Sequence, residues 1–423
     1  MVRKSKLTPS LFLNMVFYSI DCDFKSLRRI SVNASKKHSL NISKQAINER
    51  FSSSSEKFAK GLLKEAIASQ VRTIINEDEM QFFKTVRIKD STKFEIHESF
   101  ASVFDGIGKG GGPNSKAGIC IQYEFDVKNN NVLDLEIKSE TQSDARDALA
   151  KKDTIVKGDL IIRDLGYYSD QIIADFIEKE AFFVSKLNHN VSVRLNAKDE
   201  MKLDFQQVYK QMLKEKKTHS DIPVYLGKKK QLVRLIMVHV PKEVYEKRIL
   251  ERNKMNKSRG YTTSEEYKIK ARFNFYICNI PEQQCSWEVI CKLYRVRWQI
   301  ELAFKVWKSI LHIDQTYKMK SERLVTTLYL KLLWIFINWQ LISDCRNLFL
   351  RTKLGLLSLS KCFQTLTENS NILRNTLFKS INNLNETLKD FIKLLSHHHW
   401  IEKRNERCHF EELIEILFCN SSI

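Results

Sequence analysis

The spacing of hydrophobic positions changes several times along this chain, and each change marks a predicted element. Apolar positions recur at helical spacing through residues 1–80, and short strand-like runs follow in residues 81–187. These runs predict strands at 86–88, 117–126, 132–137, 160–162 and 182–187, with helices near 143–151 and from Ser169 onward. We therefore expect an α/β fold in which helices cover a mixed sheet.

The regular pattern is interrupted between residues 188 and 271. Short strands at 191–195 and 231–239 lie among charged turns, and residues 243–257 form a basic helical stretch. An apolar strand at 272–280 then restores the pattern of the core. The predicted regions are a helical part (1–80), a core (81–187 and 272–320), the interruption (188–271) and a helical, partly apolar end (321–423).

One predicted helix, at residues 294–309, carries polar groups of four different types at helical spacing. Their offsets of three, seven and fourteen positions confine them to a wedge about 60° wide on the helix surface. They are Tyr294, Arg297, Glu301 and Lys308. The apolar side chains cluster on the opposite side, at Val296, Ile300, Ala303, Trp307 and Ile310. We expect the helix to bury its apolar face in a core and to present the polar stripe.

Two interpretations fit this stripe. Arg297 and Glu301 lie four residues apart and can form an ordinary surface ion pair, which contributes about a few tenths of a kcal/mol. Alternatively, Glu301 holds a metal ion while the cations beside it bind phosphates, since guanidinium forks and ammonium groups match phosphate oxygens. Spacing alone leaves both interpretations open.

The residues around the stripe favour the second interpretation. The segment reads YRVRWQIELAFKVWKS, in which Tyr, Arg, Glu and Lys are separated by two, three and six residues. It resembles the signature of the insertion-sequence-four family of DDE transposases, to which the Tn-five transposase belongs. The resemblance implies a ribonuclease-H-like catalytic core in which two Asp and this Glu hold two divalent metal ions.

Two upstream aspartates match what the resemblance requires. Asp90 follows a predicted strand and begins an Asp-Ser-Thr tripeptide, which looks like the first acidic motif of the family. Asp164 also follows a predicted strand, and with Gly166 and Tyr167 behind it resembles the second motif. A turn or helix-cap role is the common alternative for a single Asp at such a position. The order of the motifs favours Asp90, Asp164 and Glu301 as catalytic, metal-binding residues.

The resemblance also implies cofactors and DNA contacts. Two Mg²⁺ ions are expected, with Mn²⁺ as a substitute, because carboxylate oxygens suit hard cations. Tyr294, Arg297 and Lys308 would hold phosphates of the transposon end. Trp298 would either stack on a base or support its helix in the core.

Some features of the family lie outside the metal ligands. In the family, an insertion domain occupies the place of residues 188–271. Two positions depart from the family pattern: Lys186 stands where Arg is frequent, and Cys278 precedes Asn279 where Thr is common. Neither departure touches a proposed metal ligand, although the second makes Asn279 a weaker site candidate.

Residues 40–51 resemble a helix-turn-helix segment. Ser43 is expected to cap a helix that carries Lys44, Gln45, Asn48 and Arg50, which are residue types that contact DNA. A basic amphipathic helix that only packs on its neighbours is the alternative. The family resemblance favours DNA binding, since its members carry an N-terminal DNA-binding domain, and Lys44 and Arg50 are our candidates for its contacts.

The charge of the chain agrees with a polyanionic partner. The formal net charge is +20 and the pI is about 9.4. Residues 1–72 carry 14 Lys and Arg against 5 Asp and Glu, and residues 188–275 carry 21 against 10. Two separate basic blocks thus flank the acidic candidates, as expected for binding to double-stranded DNA.

Compartment signals are few. The first ten residues, MVRKSKLTPS, lack a sustained apolar stretch, so we expect no signal peptide. The most apolar window, 328–342, contains Lys331, Asn338 and Gln340 and is predicted to be a buried or interface helix rather than a membrane span. The nine cysteines form no Cys-x-x-Cys pair, which indicates reduced thiols and no zinc ribbon. We expect a cytoplasmic, nucleoid-associated protein with no membrane partner.

The predicted function is that of a transposase. It would bind the inverted-repeat ends of its insertion sequence, hydrolyse the phosphodiester there, and join the freed 3′-hydroxyl to target DNA. Two active sites held together on DNA call for a homodimer, and residues 321–423 would suit the subunit contact. Two alternatives are a structure-specific nuclease of the same fold, which cuts without joining, and a repurposed copy that binds DNA without cutting.

Overall fold

The computed structural model describes residues 6–21, 26–70, 82–108, 116–187, 191–198, 201–257, 260–352, 357–379 and 384–400. Within these residues, one large mixed sheet is covered by helices on both faces. The predicted α/β class with a mixed sheet is therefore confirmed.

The strands of the described chain belong to a single sheet. They are β1 (Thr85–Ile96), β2 (Ala117–Asp126), β3 (Asn131–Ser139), β4 (Asp159–Arg163), β5 (Phe182–Lys186), β6 (Val193–Arg194), β7 (His219–Leu226), β8 (Gln231–His239) and β9 (Phe273–Cys278). Their order across the sheet is β3-β2-β1-β4-β5-β9-β8-β7-β6. β4 pairs in parallel with β1 and β5, and all the other neighbours pair antiparallel.

The helices of the described chain fall before, between and after the strands. The first four are α1 (Pro9–Asp21), α2 (Leu27–His38), α3 (Lys44–Arg50) and α4 (Ser53–Ala68). Those between strands are α5 (Asp144–Ala150), α6 (Asp170–Glu178), α7 (Phe205–Lys214), α8 (Lys242–Lys257) and α9 (Glu265–Lys270). The remainder are α10 (Trp287–Arg295), α11 (Trp298–Ser309), α12 (Ser321–Arg351), α13 (Leu359–Glu368), α14 (Ser370–Lys379) and α15 (Leu384–His398).

Strand β1 is longer than the predicted strand at 86–88. It continues to Ile96, so Asp90 lies inside the strand. The prediction that Asp90 lies at the end of a strand is therefore wrong. The reason is its pairing with β2, which extends to the pair Ile96 and Ala117. Pairing with β2 therefore extends β1 beyond the length that the local sequence predicts.

Alternate residues of the strands pack into two separate cores. One core contains Val86, Ile88 and Ile162 and lies against α10, α11 and α12. The other contains Ile161 and Phe183 and lies against α5 and α6. Because successive side chains of a strand point to opposite faces, neighbouring residues such as these serve different layers.

The region 188–271 extends the core sheet. Strand β8 pairs with β9 and so attaches β7 and β6 to the edge of the same sheet. Strand β7 was not predicted because its sequence, HSDIPVYL, is rich in residues that are uncommon in strands. Pro223 is tolerated there because β6 pairs only with Tyr225 and Leu226, which leaves the rest of β7 at an edge. Helices α7 and α9 were also missed.

The N-terminal helices pack on the C-terminal ones. Helix α4 lies along α12, and the Ser55 and Thr326 hydroxyl oxygens are 2.8 Å apart in that contact. The rings of Phe17 on α1 and Trp334 on α12 stack with centroids 5.0 Å apart. Part of the apolar surface that we had assigned to a subunit contact is thus covered within the chain.

Helix α12 contains the apolar window at 328–342. Its segment Ser321–Arg346 is long and apolar enough for a membrane span, and it is the only such helix in the described residues. However, 67% of the apolar window is buried inside the protein, as in the core helix of a soluble domain. This burial agrees with the predicted buried helix.

Candidate active site

Asp90 and Asp164 lie on neighbouring parallel strands at matching positions. The last paired residues of β1 and β4 are Lys89 and Arg163. Asp90 and Asp164 each follow by one residue, at the point where β4 ends. Asp90 shares the strand face of Ile88, which packs toward α10, α11 and α12. The strand register therefore brings two carboxyl groups together from 74 residues apart in the chain.

Arg297 and Tyr294 connect these aspartates to Glu301. The Arg297 guanidinium donates to Asp90 Oδ2 at 3.1 Å and to Glu301 Oε1 at 2.5 Å. The Tyr294 hydroxyl donates to Asp164 Oδ1 at 3.3 Å. The three predicted carboxylates thus belong to one hydrogen-bonded cluster with Tyr294 and Arg297, the neighbours of Glu301 in the polar stripe. The surface ion pair between Arg297 and Glu301 does exist, but it belongs to this larger cluster.

The predicted single helix over residues 294–309 is wrong in one respect. It is interrupted after Arg295, and α11 begins at Trp298. At the junction, backbone N–H groups bond to carbonyls three residues back, as in Arg297 to Tyr294 and Ile300 to Arg297. This tighter 3₁₀ geometry advances each residue by about 120°, compared with about 100° in an α-helix. The tightened turn carries Arg297, whose contacts reach both Asp90 and Glu301.

Burial perturbs the acidity of Asp90. Desolvation raises the pKa of its carboxyl group to about 6, and the neighbouring charges of Asp164 and Glu301 add to the rise. The Ser91 backbone N–H and Arg297 act in the opposite direction without cancelling it. Burial of the carboxyl group is therefore the main cause of the raised pKa of Asp90, and repulsion by the other two carboxylates is secondary.

The donor set fits a divalent metal ion. Asp90 and Glu301 share the Arg297 guanidinium, and Asp164 accepts from Tyr294. Among the described residues, only Asp134, Glu136 and Asp147 form an acidic trio with oxygens within 4.8 Å of one another, so a metal ion would have to draw the three candidate carboxylates closer together. The Asp90 and Glu301 side chains keep 20% and 39% of their surface accessible, so a ligand can reach them. Carboxylate oxygens suit hard cations such as Mg²⁺ and Mn²⁺. An added cation would also stabilise the ionised form of Asp90, whose pKa is raised mainly by burial.

Lys186 lies beside this cluster although it was not assigned to the site. Its ammonium group sits over the rings of Tyr276 and Tyr294, at 4.6 and 5.6 Å from the centroids. Burial lowers the pKa of Lys186, and the charge of Arg248 lowers it further. In the sequence, this position is marked by Lys where Arg is frequent in the family.

The remaining residues near the signature differ in their surroundings. The Lys308 ammonium donates to the carbonyl of Lys93 on β1 at 3.1 Å, which fixes α11 beside the strand that carries Asp90. Trp298 has 58% of its surface exposed, so the alternative in which it supports the core is wrong. Its indole is available to a ligand.

The Asn279 side chain bonds to the backbone of the β5 segment. Its side-chain carbonyl accepts from the Phe183 N–H at 2.9 Å, and its amide donates to the Ala181 carbonyl at 2.8 Å. These bonds join the end of β9 to β5. Asn279 thus holds the sheet together near the site.

The predicted helix-turn-helix segment contains the expected helix. Ser43 caps α3 by accepting from the Ala46 N–H at 3.1 Å, and α3 packs on α2. Lys44 and Arg50 lie on the exposed surface of α3. Helix α3 has only seven residues, which is short for a recognition helix. Its role in DNA binding stays a prediction.

A second group of acidic side chains has the spacing of a metal site. Asp134, Glu136 and Asp147 have carboxylate oxygens within 4.8 Å of one another. Lys89 contacts Asp147 at 2.6 Å and Asp134 at 3.1 Å. Lys138 and Lys151 also form ion pairs in the group. Since three ammonium groups already occupy these carboxylates, the group is a structural ion-pair network.

Comparison with known proteins gives a consistent result. The family model described as a transposase DDE domain matches residues 81–337. The transposase for insertion sequence element IS231F of Bacillus thuringiensis subsp. israelensis is similar, with 30% identity over 386 residues, covering 87% of this chain and 78% of the relative. The transposase for IS1151 of Clostridium perfringens is 26% identical over 408 residues, covering 92% and 85%.

One solved structure aligns with most of this chain. It is the cryo-EM structure of the piggyBac transposase synaptic complex with hairpin DNA. The TM-score is 0.43 at 12% sequence identity, with 98% of this chain and 81% of the other covered.

Proposed function

We propose a cut-and-paste reaction for this chain, which belongs to the DDE transposase family. The protein would bind the inverted-repeat ends of its own insertion sequence and hydrolyse the phosphodiester there. It would then direct the freed 3′-hydroxyl at target DNA. The observation that carries the proposal is the cluster of Asp90, Asp164 and Glu301 around Arg297 and Tyr294.

Asp90, Asp164 and Glu301 would hold two Mg²⁺ ions, for which Mn²⁺ would substitute. When bound, such ions lower the pKa of a coordinated water and stabilise the leaving oxygen. Three carboxylates provide about three negative charges, so a DNA phosphate is needed to balance two divalent ions. We therefore expect metal binding to be weak without DNA.

Arg297 would change partners when DNA binds. Its guanidinium now pairs with Asp90 and Glu301, and divalent cations would compete for the same oxygens. A guanidinium released from them is well placed for a phosphate, because its planar fork matches phosphate geometry. Tyr294 and Lys308 would hold further phosphates, and the exposed indole of Trp298 would stack on a base.

The rest of the molecule is proposed to support this reaction. Residues 81–187 and 272–320, which contain β1 to β5 and β9, would form a ribonuclease-H-like core of the insertion-sequence-four type, with Tn-five-like chemistry. Residues 1–80 would bind DNA through Lys44 and Arg50, and residues 188–271 would act as the insertion domain. A homodimer on DNA, located with the nucleoid, would hold two active sites together.

A strand-transfer assay tests the proposal. Duplexes carrying the inverted repeats of the element are incubated with a target plasmid and Mg²⁺ or Mn²⁺, and cleaved and joined products are measured. The native protein should cut at the repeat and join the 3′ end to the plasmid. Cleavage of branched DNA without end-dependent joining would indicate a nuclease, and binding without cleavage would indicate a repurposed copy.

Glu301→Gln tests the metal site within the same assay. The change removes a ligand charge at nearly constant size, so cleavage should be lost while end binding remains. Glu288→Gln makes the same change at an exposed position of α10 and should keep full activity. Retained cutting by Glu301→Gln would remove Glu301 from the metal site.

A further inference from the structure

A cationic pocket lies next to the acidic site. It has a volume of about 240 Å³ and is lined by residues from β5, α8, α9 and β9. Its charged lining consists of Lys186, Arg248 and Lys270, and none of its lining side chains in the described chain is acidic. Leu187 and Phe275 contribute apolar surface. The pocket is therefore suited to a small anion with an apolar part.

The cations of the pocket have few anionic partners. The Arg248 guanidinium donates to the carbonyls of Ala271 and Phe273 and to Asn274 Oδ1, at 2.6–3.0 Å. These partners are neutral, and no carboxylate among the described residues is within ion-pair distance of Arg248. Lys270 pairs with Glu266, which is largely exposed. The protein thus holds Arg248 in a fixed orientation while leaving its charge uncompensated.

Lys186 completes this arrangement. Its ammonium group contacts aromatic rings, and within the described part of the chain no carboxylate pairs with it. Two half-buried cations near one another cost free energy, because their charges repel and are partly desolvated. The charge of Asp164 attracts Lys186, but burial and the repulsion by Arg248 outweigh this attraction. A bound anion between them would remove that cost.

The pocket and the acidic cluster share a wall. Leu165 lines the pocket and directly follows Asp164. Lys186 lines it too, and it stacks on Tyr294, which donates to Asp164. A polymer whose phosphodiester reacts at the carboxylates would therefore pass close to the pocket.

We propose that this pocket binds a backbone phosphate of the DNA strand whose neighbouring phosphodiester is cleaved at Asp90, Asp164 and Glu301. The proposal rests on the proposed function. Arg248 and Lys186 contact the phosphate oxygens, with Lys270 adding positive charge. The apolar residues contact the sugar. Pockets for drug-sized ligands have about 300–1,000 Å³, so this smaller volume suits one phosphate and its sugar.

The test combines a protein variant with a chemical change in the DNA. The probes are inverted-repeat duplexes in which one phosphate at a time is replaced by a neutral methylphosphonate. Binding is measured by fluorescence anisotropy in Ca²⁺. Arg248→Gln should weaken binding of the unmodified duplex roughly tenfold and reduce the slope of log affinity against log salt by about 1. Lys247→Gln, an exposed charge-matched control on α8, should change affinity by less than about twofold.

The modified probes locate the contact. At one position near the cleaved bond, methylphosphonate should lower the affinity of the native protein for the duplex. The same modification should not lower the affinity of Arg248→Gln any further. Equal losses in both proteins at every position would overturn the proposal. So would equal affinities of Arg248→Gln and Lys247→Gln for the unmodified duplex.

Two further measurements keep the result unambiguous. Because Arg248 bonds to backbone carbonyls, Lys186→Met is tested as well, since it removes a charge but keeps the packing on the tyrosine rings. Binding by Lys186→Met should be insensitive to methylphosphonate at the same position as binding by Arg248→Gln. Insensitivity at a different position would count against a phosphate shared by the two side chains.

If the native protein neither binds nor cuts the repeats, the proposed function itself has failed. If it does both and the pocket variants behave normally, only the pocket proposal has failed.

Discussion

Two groups of acidic side chains lie on opposite faces of the same sheet, and they differ in how their charge is balanced. Asp90, on the α11 face, shares one guanidinium with Glu301. The adjacent residue Lys89 points to the other face and pairs with Glu124, Asp134 and Asp147. Asp90 thus belongs to a site with few cations, whereas the adjacent Lys89 belongs to a network in which cations balance the carboxylates.

Their acidities differ in the same way. The pKa of Asp90 rises to about 6, mainly because its carboxyl group is buried. On the other face, burial also raises the pKa values of Glu124 and Asp147, but the neighbouring cations outweigh this and lower them overall. Burial alone therefore does not distinguish a structural carboxylate from a reactive one. The balance of nearby cations does.

This contrast predicts that changes on the two faces affect different properties. Asp90→Asn should reduce cleavage of repeat-containing DNA by about 10³-fold or more, since a metal ligand supplies several kcal/mol of transition-state stabilisation. Its free energy of unfolding should change by less than about 1 kcal/mol, because Asn avoids the cost of burying a charge. Cleavage rates and thermal unfolding measure the two effects. A large loss of stability would mean that Asp90 is structural.

Asp147→Asn should do the reverse. Asp147 is fully buried against Lys89 and Lys138, so the change removes one carboxylate from both ammonium groups, which keep Glu124, Asp134 and Glu136, and should cost about 1.5–3 kcal/mol of stability. Denaturant unfolding measures the loss. Asp153→Asn is the control, because Asp153 is 87% exposed and should change stability by less than about 0.5 kcal/mol. A variant as stable as the native protein would show that the network is dispensable.

Trp298→Ala should affect binding but not stability. The indole is exposed beside the acidic site, so its loss should weaken binding of the repeat duplex by about 1–3 kcal/mol. The free energy of unfolding should stay within about 0.5 kcal/mol. Tyr261→Ala, which removes another exposed aromatic ring, should leave the affinity unchanged. Equal affinities of both variants in an anisotropy titration would argue against stacking.

The smallest effect concerns pH. The pKa values of Glu136 and Asp147 are lower in the folded state than in the unfolded chain, since Lys151, Lys89 and Lys138 outweigh the effect of burial. Their stabilisation is therefore complete above about pH 4–4.5, the range of unperturbed carboxyl groups, and is lost as pH falls through the lower folded-state values. Unfolding curves at pH 3–7 measure this loss. Glu136→Gln should flatten it, and an unchanged curve would exclude Glu136 from the effect.

Much of the site was accessible from local sequence. Strands β2 and β8 were predicted at their observed bounds, and β5 was predicted one residue too long. The spacing of Tyr294, Arg297 and Glu301 indicated a shared face, and the structure brings their side chains into one cluster. These predictions succeeded because they depend on periodicity and residue type, which are properties of short segments.

Other features required contacts between distant segments. The break at Arg295 was not visible, because the residues around it have ordinary helical preferences. The cationic pocket combines Lys186 with Arg248 and Lys270, which lie more than 60 residues further along the chain. Strand β7 forms from a sequence with weak strand preference, because its partner β8 is already in the sheet.

The amino-acid sequence by itself determined which residues can carry metal and phosphate chemistry, and which faces of its strands and helices are apolar. The tertiary structure decided which carboxylates are balanced by cations and which are not. The physical reason is that side-chain identity is local, whereas the electrostatic energy of a charge depends on burial and on neighbours brought close only by folding.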